Sequence, residues 1–492
     1  MTSAAVGRRC WPVIAWQVGF GVPGRSAPAT GAVRSAGEVV SIGALFPSVS
    51  LVQSRAKVNR LRSVKGMNDA LPREAAALFA VELQARQTFA RYGFGEVRTP
   101  VVEEAALFQR GIGDTTDVVE KEMYVFPDRH DTLLALRPEG TASAVRAYLQ
   151  HNPAAEDPIT RWFYAGAMFR HERPQKGRYR QFHQVGAELF GAAGPEADVE
   201  LLAMVHDWLR ALGILGISLQ LNSIGDTSCR PAYLSTLQTF LRAHEVELCD
   251  DCRRRAEKNP LRVLDCKNPN CQLALKDSPV PSDHLCEPCR VHFAAVCQAL
   301  TALELPYVHN PRLVRGLDYY TRTTFEFVAE VGSGVGGGLG SQNTVAAGGR
   351  YDGLVEALGG APTPAVGFAA GIERLVLARQ LPVDAAPASP DLFVASHSEG
   401  ERLAALKLAA AGRAAGLWAE IDLRGGSLKS QLRRADRLGA KVLVVLGAEE
   451  IASGNVKLKQ MGAAGSLGAG QTVAASLAEV APAVWRVLRG RE

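Results

Sequence analysis

The sequence predicts an α+β protein built on antiparallel strands, with a small α/β domain toward its C-terminal end. Three observations carry this expectation. Two apolar runs, WFYAGAMF and QFHQVGAELF, flank a basic loop broken by Pro174 and Gly177, the pattern of paired antiparallel strands. A helical run follows them, with Val199, Leu202, Val205, Leu209 and Leu212 at helical spacing. Beyond the Pro/Ala-rich residues 382–390, the runs DLFVAS, GLWAEID, KVLVVLG and NVKLKQM alternate with helical stretches.

The loop between the two apolar runs carries the first chemical signal. FRHERPQKGRYRQFHQVGAE, from Phe169 to Glu188, holds Arg170, Arg173, Lys176, Arg178 and Arg180. Planar guanidinium forks match phosphate oxygens two at a time, so arginines at the root of such a loop suit a polyphosphate. A solvated surface hairpin is the competing reading. Solubility alone does not require the acids Glu172 and Glu188 among the bases.

The remaining elements follow in order. Asp69 and Pro72 open a helix with Ala76, Phe79, Leu83 and Phe89 as its apolar points. Gly93 and Gly95 end it, and EVRTPVVE reads as a strand with Pro100 at an edge. In LLALRPEGTASAVRAYL a strand ends at Arg137 and a helix runs through Tyr148, which puts Glu139 and Thr141 at a strand–helix junction. Thr141 serves there equally well as a helix cap, whereas a Glu139 carboxylate can receive an ammonium group.

LVRGLDYYTRTTFEF sets Arg315 ahead of Tyr319 and Tyr320, neighbours that point to opposite faces if they begin a strand. In AAGGRYDGL, Gly348 and Gly349 let the backbone approach a ligand beside Arg350, Tyr351 and Asp352. AVGFAAGIERLVLAR is strand, turn and helix, with Glu373 and Arg374 at the helix start. An adjacent residue cannot pair with Arg374, so an anion or a more distant acid must.

At 492 residues the chain is long enough for two to four domains of about 150 residues each. Apolar residues make up 47%, and no run of about 18 of them suggests a membrane span. Residues 1–57 stand apart, with Arg8, Arg9, Arg25, Arg34, Arg55 and Lys57 against Glu38 alone. That acid-poor composition is expected of a transit peptide, which directs the chain to the mitochondrion, the chloroplast or both, with the cytoplasm as the fallback. The leader accounts for the whole net charge of +5, so nucleic-acid binding must rest on local basic patches.

The expected organisation is a leader at 1–57, catalytic segments at 58–213 and 309–381 around an inserted domain at 214–308, a linker at 382–390, and a C-terminal domain at 391–492. The insert holds three cysteine pairs, Cys249/Cys252, Cys266/Cys271 and Cys286/Cys289, a spacing compatible with a zinc ribbon. Cys10, Cys229 and Cys297 fall outside that pattern and read as leader or packing residues. In the C-terminal domain the helix from Ser427 carries Lys429, Arg433, Arg434 and Arg437, which suit a phosphate backbone or a merely solvated face.

Together RPEGTA, MFRHERPQKGRYRQFHQVGAE, LVRGLDYYTRT, GGRYDGL and GFAAGIERL resemble the histidyl-tRNA synthetases, a family of class II aminoacyl-tRNA synthetases. The likeness runs from about Lys65 to the C-terminus. It departs at Ala347, where the family often has glycine, and in a longer Gly-rich stretch, VGSGVGGGLGSQN. The resemblance implies an antiparallel sheet flanked by helices, an inserted domain and an α/β anticodon-binding domain. The implied reaction is ATP-dependent activation of L-histidine to histidyl-adenylate and transfer to the 3′ end of tRNA(His), by a homodimer with Mg²⁺.

By resemblance Arg170 holds the α-phosphate, Arg178 and Arg374 the outer phosphates, and Glu172 the adenosine side. Histidine is received by Glu139, Gly140, Thr141 and Gln184, and its imidazole is read by Glu188 and Tyr320 beside Tyr319 and Tyr351. Arg315, with Arg170, stabilises the transition state, and Arg173, Gln175 and Lys176 meet the tRNA acceptor end. The family's insert does not require zinc for activity, so a structural zinc is open but not favoured, and no metal ligand is assigned. The rivals are a catalytically dead relative, such as an ATP phosphoribosyltransferase regulatory subunit, and a metal-stabilised RNA-binding protein.

Overall fold

The computed structural model describes residues 61–113, 116–329, 343–379, 389–461 and 472–489. The leader expected at 1–57 with Cys10, the Gly-rich stretch but for Asn343, and most of the 382–390 linker lie outside them.

Eight strands form the main sheet, in the order Gly95–Glu96, Thr160–Phe169, Gln181–Phe190, Ala365–Gly371, Thr344–Arg350, Thr321–Ala329, Ile217–Ser223 and Tyr307–His309. Its inner pairings are antiparallel, and the two short edge strands pair in parallel. The expected hairpin is there, with Phe169 opposite Gln181 and Thr160 opposite Phe190.

Side chains alternate across a strand, and this divides the sheet into a structural and a chemical face. Val185, Ala187 and Leu189 enter the core, which leaves Gln184, Gly186 and Glu188 on the opposite side. The helices Pro72–Arg91 and Pro195–Ala211 cover the core face. There the Phe89 ring lies 5.6 Å from Phe163, 5.3 Å from Trp208 and 5.9 Å from Phe368, edge-on to each. Edge-to-face packing suits the ring quadrupoles, so the cluster gains more than its buried area alone.

Several expectations need correction. The first helix buries Ala77, Val81, Ala85 and Phe89, while Ala76, Phe79 and Leu83 are exposed. Both stripes are apolar, so spacing alone does not choose between them. EVRTPVVE divides into Gly95–Glu96, at the edge of the main sheet, and Val102–Glu104, in a separate sheet with Tyr124–Pro127 and Leu133–Leu136. Pro100 lies between them, where its missing N–H costs no ladder bond.

The expected insert at 214–308 is also less separate than its text suggests. Its first and last strands, Ile217–Ser223 and Tyr307–His309, belong to the main sheet. Its helix Glu287–Ala302 gives Val296 and Leu300 to the main core. A satellite core of its own gathers Ile224, Tyr233, Leu237, Leu241, Leu248 and Val263.

The C-terminal domain is α/β as expected. Its strands run in the order Ala419–Ile421, Leu392–Ser396, Val442–Leu446, Asn455–Gln460 and Thr472–Ser476. Among the described residues no helix is long and apolar enough to cross a membrane.

Candidate active site

The chemical face of the sheet carries a cluster of polar side chains centred on Glu188, a fully buried carboxylate. It accepts hydrogen bonds from Thr141 Oγ1 at 2.8 Å, from the Tyr164 hydroxyl at 3.0 Å, and from the Tyr351 hydroxyl. Burial pushes its carboxyl up to about 8, against the three hydroxyl donors that favour the charged form. Glycines make the room. A Cβ at Gly367 would overlap the Glu188 carboxylate, and one at Gly140 or Gly186 would overlap the Tyr164 ring.

Glu139 and Thr141 exchange the roles that their positions suggest. The Glu139 carboxylate caps the helix Thr141–His151, accepting from the backbone N–H of Thr141 at 2.6 Å and of Ala142 at 2.9 Å. Thr141 turns its hydroxyl to Glu188 instead. Two orphan helix N–H groups thereby hold a buried acid in place. Burial raises the Glu139 carboxyl, and those two N–H donors oppose the rise.

Tyr319 and Tyr320 precede the strand Thr321–Ala329 rather than starting it. They do not diverge to opposite faces. Their rings pack 4.7 Å apart, and Tyr319 lies 5.6 Å from the Tyr351 ring. Both phenols are raised, first by burial, and both feel the charges of Glu139 and Glu188. The structure thus brings Glu139, Gly140, Thr141, Glu188, Tyr319, Tyr320 and Tyr351 into one cluster. Gln184 stands on the same strand as Glu188, and its buried Oε1 has no protein partner.

Arg315 is a half-buried neighbour of this cluster, beside Tyr320. It pairs with Glu326, whose other oxygen accepts from Thr344 Oγ1 at 2.8 Å. Burial works against the Arg315 charge, but Glu326 and Tyr320 outweigh it and raise the guanidinium.

The remaining arginines stand beside it. Arg170 donates to the Pro138 carbonyl at 2.8 Å and lies 5.5 Å from the Phe182 ring centre. Arg178 pairs with Glu172 at 3.0 Å, and Arg170 approaches the same acid at 3.9 Å. Arg374 donates to the Thr344 carbonyl at 3.1 Å. Its guanidinium is depressed by burial and then by the charges of Arg178 and Arg170. Arg170, Arg178 and Arg374 thus gather around the Glu172 carboxylate, a concentration of planar donors of the kind that suits phosphate oxygens.

At the hairpin tip Arg173, Gln175 and Lys176 are exposed, and Gln175 and Arg178 close a tight turn at 3.1 and 2.9 Å with Gly177 at φ +73°. Arg350 does not line a ligand. It is fully buried on the far side, bonded to Asp198 and to the Ala192 and Gly194 carbonyls.

Two residues of the site escaped the sequence reading. Tyr164 sits in an apolar run where nothing marks it except its hydroxyl, and Glu326 is the lone acid of TTFEFV. A single acid inside a β-rich run is a signal, since an unpaired buried carboxylate is costly.

A mostly antiparallel sheet flanked by helices, with a second α/β domain appended, is the architecture of a class II aminoacyl-tRNA synthetase. Comparison with known proteins narrows the class. Residues 66–375 match a family model described as histidyl-tRNA synthetase, and residues 391–484 match an anticodon binding domain. The histidine–tRNA ligase of Anaeromyxobacter dehalogenans is 53% identical over 403 residues, covering 82% of this chain and 95% of that protein. That of Geobacter sulfurreducens is 46% identical over 401 residues, with 82% and 95% covered. The apo structure of Staphylococcus aureus histidyl-tRNA synthetase superposes with a TM-score of 0.71 at 32% identity, covering 86% of this chain and all of that one. The chain belongs to the histidyl-tRNA synthetase family.

Proposed function

We propose that this chain activates L-histidine with ATP at the Glu188 cluster and passes the histidyl group to the 3′ end of tRNA(His). The observation that carries the reading is the Glu188 carboxylate, buried and held by Thr141, Tyr164 and Tyr351 beside Gln184, whose Oε1 lacks a protein partner. A neutral imidazole has one donor and one acceptor, which an acid and the Tyr320 phenol satisfy together. Glu139, Thr141 and Gln184 receive the ammonium group, and Gly140 leaves room for the Tyr164 ring that donates to Glu188. Such hydrogen-bonded recognition rejects side chains lacking the two nitrogens by large factors.

ATP lies across Arg170, Arg178 and Arg374, with Glu172 toward the adenosine. The histidine carboxylate attacks the α-phosphorus and pyrophosphate leaves in line. Charge builds on the α-phosphate oxygens as this happens, and Arg315 with Arg170 binds it more strongly in the transition state than before. The oxygens of Glu326 and Thr344, hard donors 2.8 Å apart, would hold Mg²⁺, which would supply charge neutralisation to the pyrophosphate when bound. ATP–pyrophosphate exchange with each amino acid in turn tests the assignment. Exchange that depends on histidine is the expected result, and none at all favours a catalytically dead relative.

The pocket also makes a pH prediction. Glu188 is protonated in the ligand-free state below about 8. An imidazole N–H needs the carboxylate, so histidine affinity rises with pH toward that value and then levels off. Between about pH 7 and 8 the ionised fraction of Glu188 rises from about a tenth to a half, so the KM for histidine falls by about fivefold, and Glu188→Gln removes the slope and weakens selection of histidine over its analogues. A flat profile in the unaltered enzyme would count against the ionisation of Glu188.

The exposed Arg173, Gln175 and Lys176 reach for the tRNA acceptor end. In the C-terminal domain Lys429, Arg433 and Arg437 are exposed and suit the anticodon stem, whereas Arg434 is occupied by the Ile421 carbonyl and Glu420. A homodimer is supported by exposed Val101, Val102, Val125, Phe126 and Leu133 on and beside the small sheet. Light scattering at micromolar concentration tests it, a monomer being the contrary result. The matched relatives named above are bacterial, and import of this chain into an organelle through residues 1–57 is tested by imaging that segment fused to a fluorescent reporter.

A further inference from the structure

We propose that the inserted region is a two-zinc module, with an outer site of Cys249, Cys252, Cys266 and Cys271 and an inner site of Asp226, Cys229, Cys286 and Cys289. In each set of four, the candidate ligand atoms all lie within 4.8 Å of one another. A tetrahedral ion with Zn–S bonds of about 2.3 Å sets sulfurs about 3.8 Å apart. The Cys249 and Cys266 sulfurs are separated by 4.0 Å, and those of Cys229 and Cys289 by 3.9 Å. These separations match those of ligands sharing one ion, and in each set four donors meet rather than two.

The three pairs seen in the sequence therefore do not make one ribbon. Cys286 and Cys289 leave the other four and join Cys229, which spacing alone had put aside. The remaining donor of the inner set is a carboxylate, with Asp226 Oδ1 at 3.6 Å from the Cys229 sulfur and 3.9 Å from that of Cys286.

Local structure explains how the sulfurs are aimed. Cys249 is the N-cap of the helix Asp250–Lys258, and Cys252 lies in its first turn. Cys286 and Cys289 stand in the same relation to the helix Glu287–Ala302, and Cys229 is the N-cap of the helix Arg230–Ala243. In C-x-x-C the cap and first-turn sulfurs fall on one side, where the positive helix end favours thiolates. Backbone donors point at the sulfurs as well. The N–H of Cys249 reaches the Cys271 sulfur at 3.2 Å, that of Asn268 the Cys266 sulfur at 3.4 Å, and that of Asp226 the Cys229 sulfur at 3.4 Å. Such N–H groups orient ligating sulfurs and temper their charge.

The energetics favour a staple here. The satellite core is small and built from short helices, and small cores are commonly completed by a structural metal. The inner site has a further tie. Its Asp226 pairs with Arg322 at 3.4 Å, and Arg322 and Gly225 are joined by a backbone bond of 2.7 Å. Arg230, the residue after Cys229, donates to the Tyr320 carbonyl at 2.5 Å. Arg322 sits at φ +50°, a left-handed conformation that costs about 1 kcal/mol for a residue with a Cβ. An ion at the inner site would brace the turn that presents Tyr320.

Metal analysis of the purified full-length chain by plasma mass spectrometry tests the module. About two zinc ions per chain are expected. Cys252→Ser or Cys271→Ser should each remove about one, and Cys229→Ser or Cys286→Ser the other, while Cys297→Ser removes none. X-ray absorption at the zinc edge, which needs no variant, should show mainly sulfur ligands with a minority of oxygen. Less than half an equivalent of zinc in the folded chain, or disulfides among these cysteines by intact mass, would overturn the proposal. A single equivalent lost only with the outer variants would overturn the inner site.

Discussion

Arg315→Ala should lower histidine-dependent ATP–pyrophosphate exchange by about 10²–10³-fold, the usual cost of losing one preorganised donor to a developing charge. Exchange at the unaltered rate would remove Arg315 from the mechanism. The variant needs a companion, because Arg315 is also the partner of Glu326, a mostly buried acid. Removing the guanidinium alone breaks that ion pair and leaves the carboxylate its hydrogen bond from Thr344 Oγ1. Adding Glu326→Gln removes the stranded charge. The double variant is expected to regain thermal stability and remain inactive, which separates catalysis from folding. If activity returned with stability, Arg315 would be a structural residue.

The second large effect is on stability. Asp198→Ala should cost about 3 kcal/mol, measured by urea unfolding at neutral pH, because it removes the fully buried partner of the Arg350 guanidinium and leaves it the part-exposed Asp352 at 3.1 Å. Arg350 and Asp198 are both shielded from solvent, and their nearest approach is 2.5 Å. His292 reaches the same carboxylate at 3.3 Å from the helix Glu287–Ala302. The triad therefore ties the main sheet, the helix Pro195–Ala211 and the inserted region together. A loss under about 1 kcal/mol would show that the site relaxes to admit water.

The same group sets an acid limit. Burial by itself would raise the Asp198 carboxyl, but His292 and Arg350 hold it below the usual carboxylate range. A depressed folded value means that its contribution is complete above the unfolded pKa of about 3.9. It is lost as pH falls through the lower, folded value. Acid unfolding of the native chain should thus be steeper than that of Asp198→Asn, and parallel curves would contradict the assignment.

Much of the site was legible in the chain's text. The hairpin strands, the Glu139–Thr141 junction and the strand-turn-helix ahead of Arg374 each follow from runs shorter than about 20 residues, where pleat and helix periods are set locally. Legibility ended where apolar residues offered two equivalent faces, as with Val81 and Leu83 on the first helix, or where a partner lay far along the chain. Arg350 reads as a ligand neighbour in GGRYDGL because nothing nearby announces Asp198, 152 residues away.

The individual strand and helix runs, the family and the inventory of acids, arginines and phenols were thus present residue by residue, because they depend on neighbours in the chain. Which groups meet was left to the fold. Glu188 finds Tyr164 across 24 residues, Thr141 across 47 and Tyr351 across 163, and Cys229 finds Cys289 across 60. Contacts of that span are chosen by how helices and sheet pack, and a one-dimensional pattern carries no term for packing.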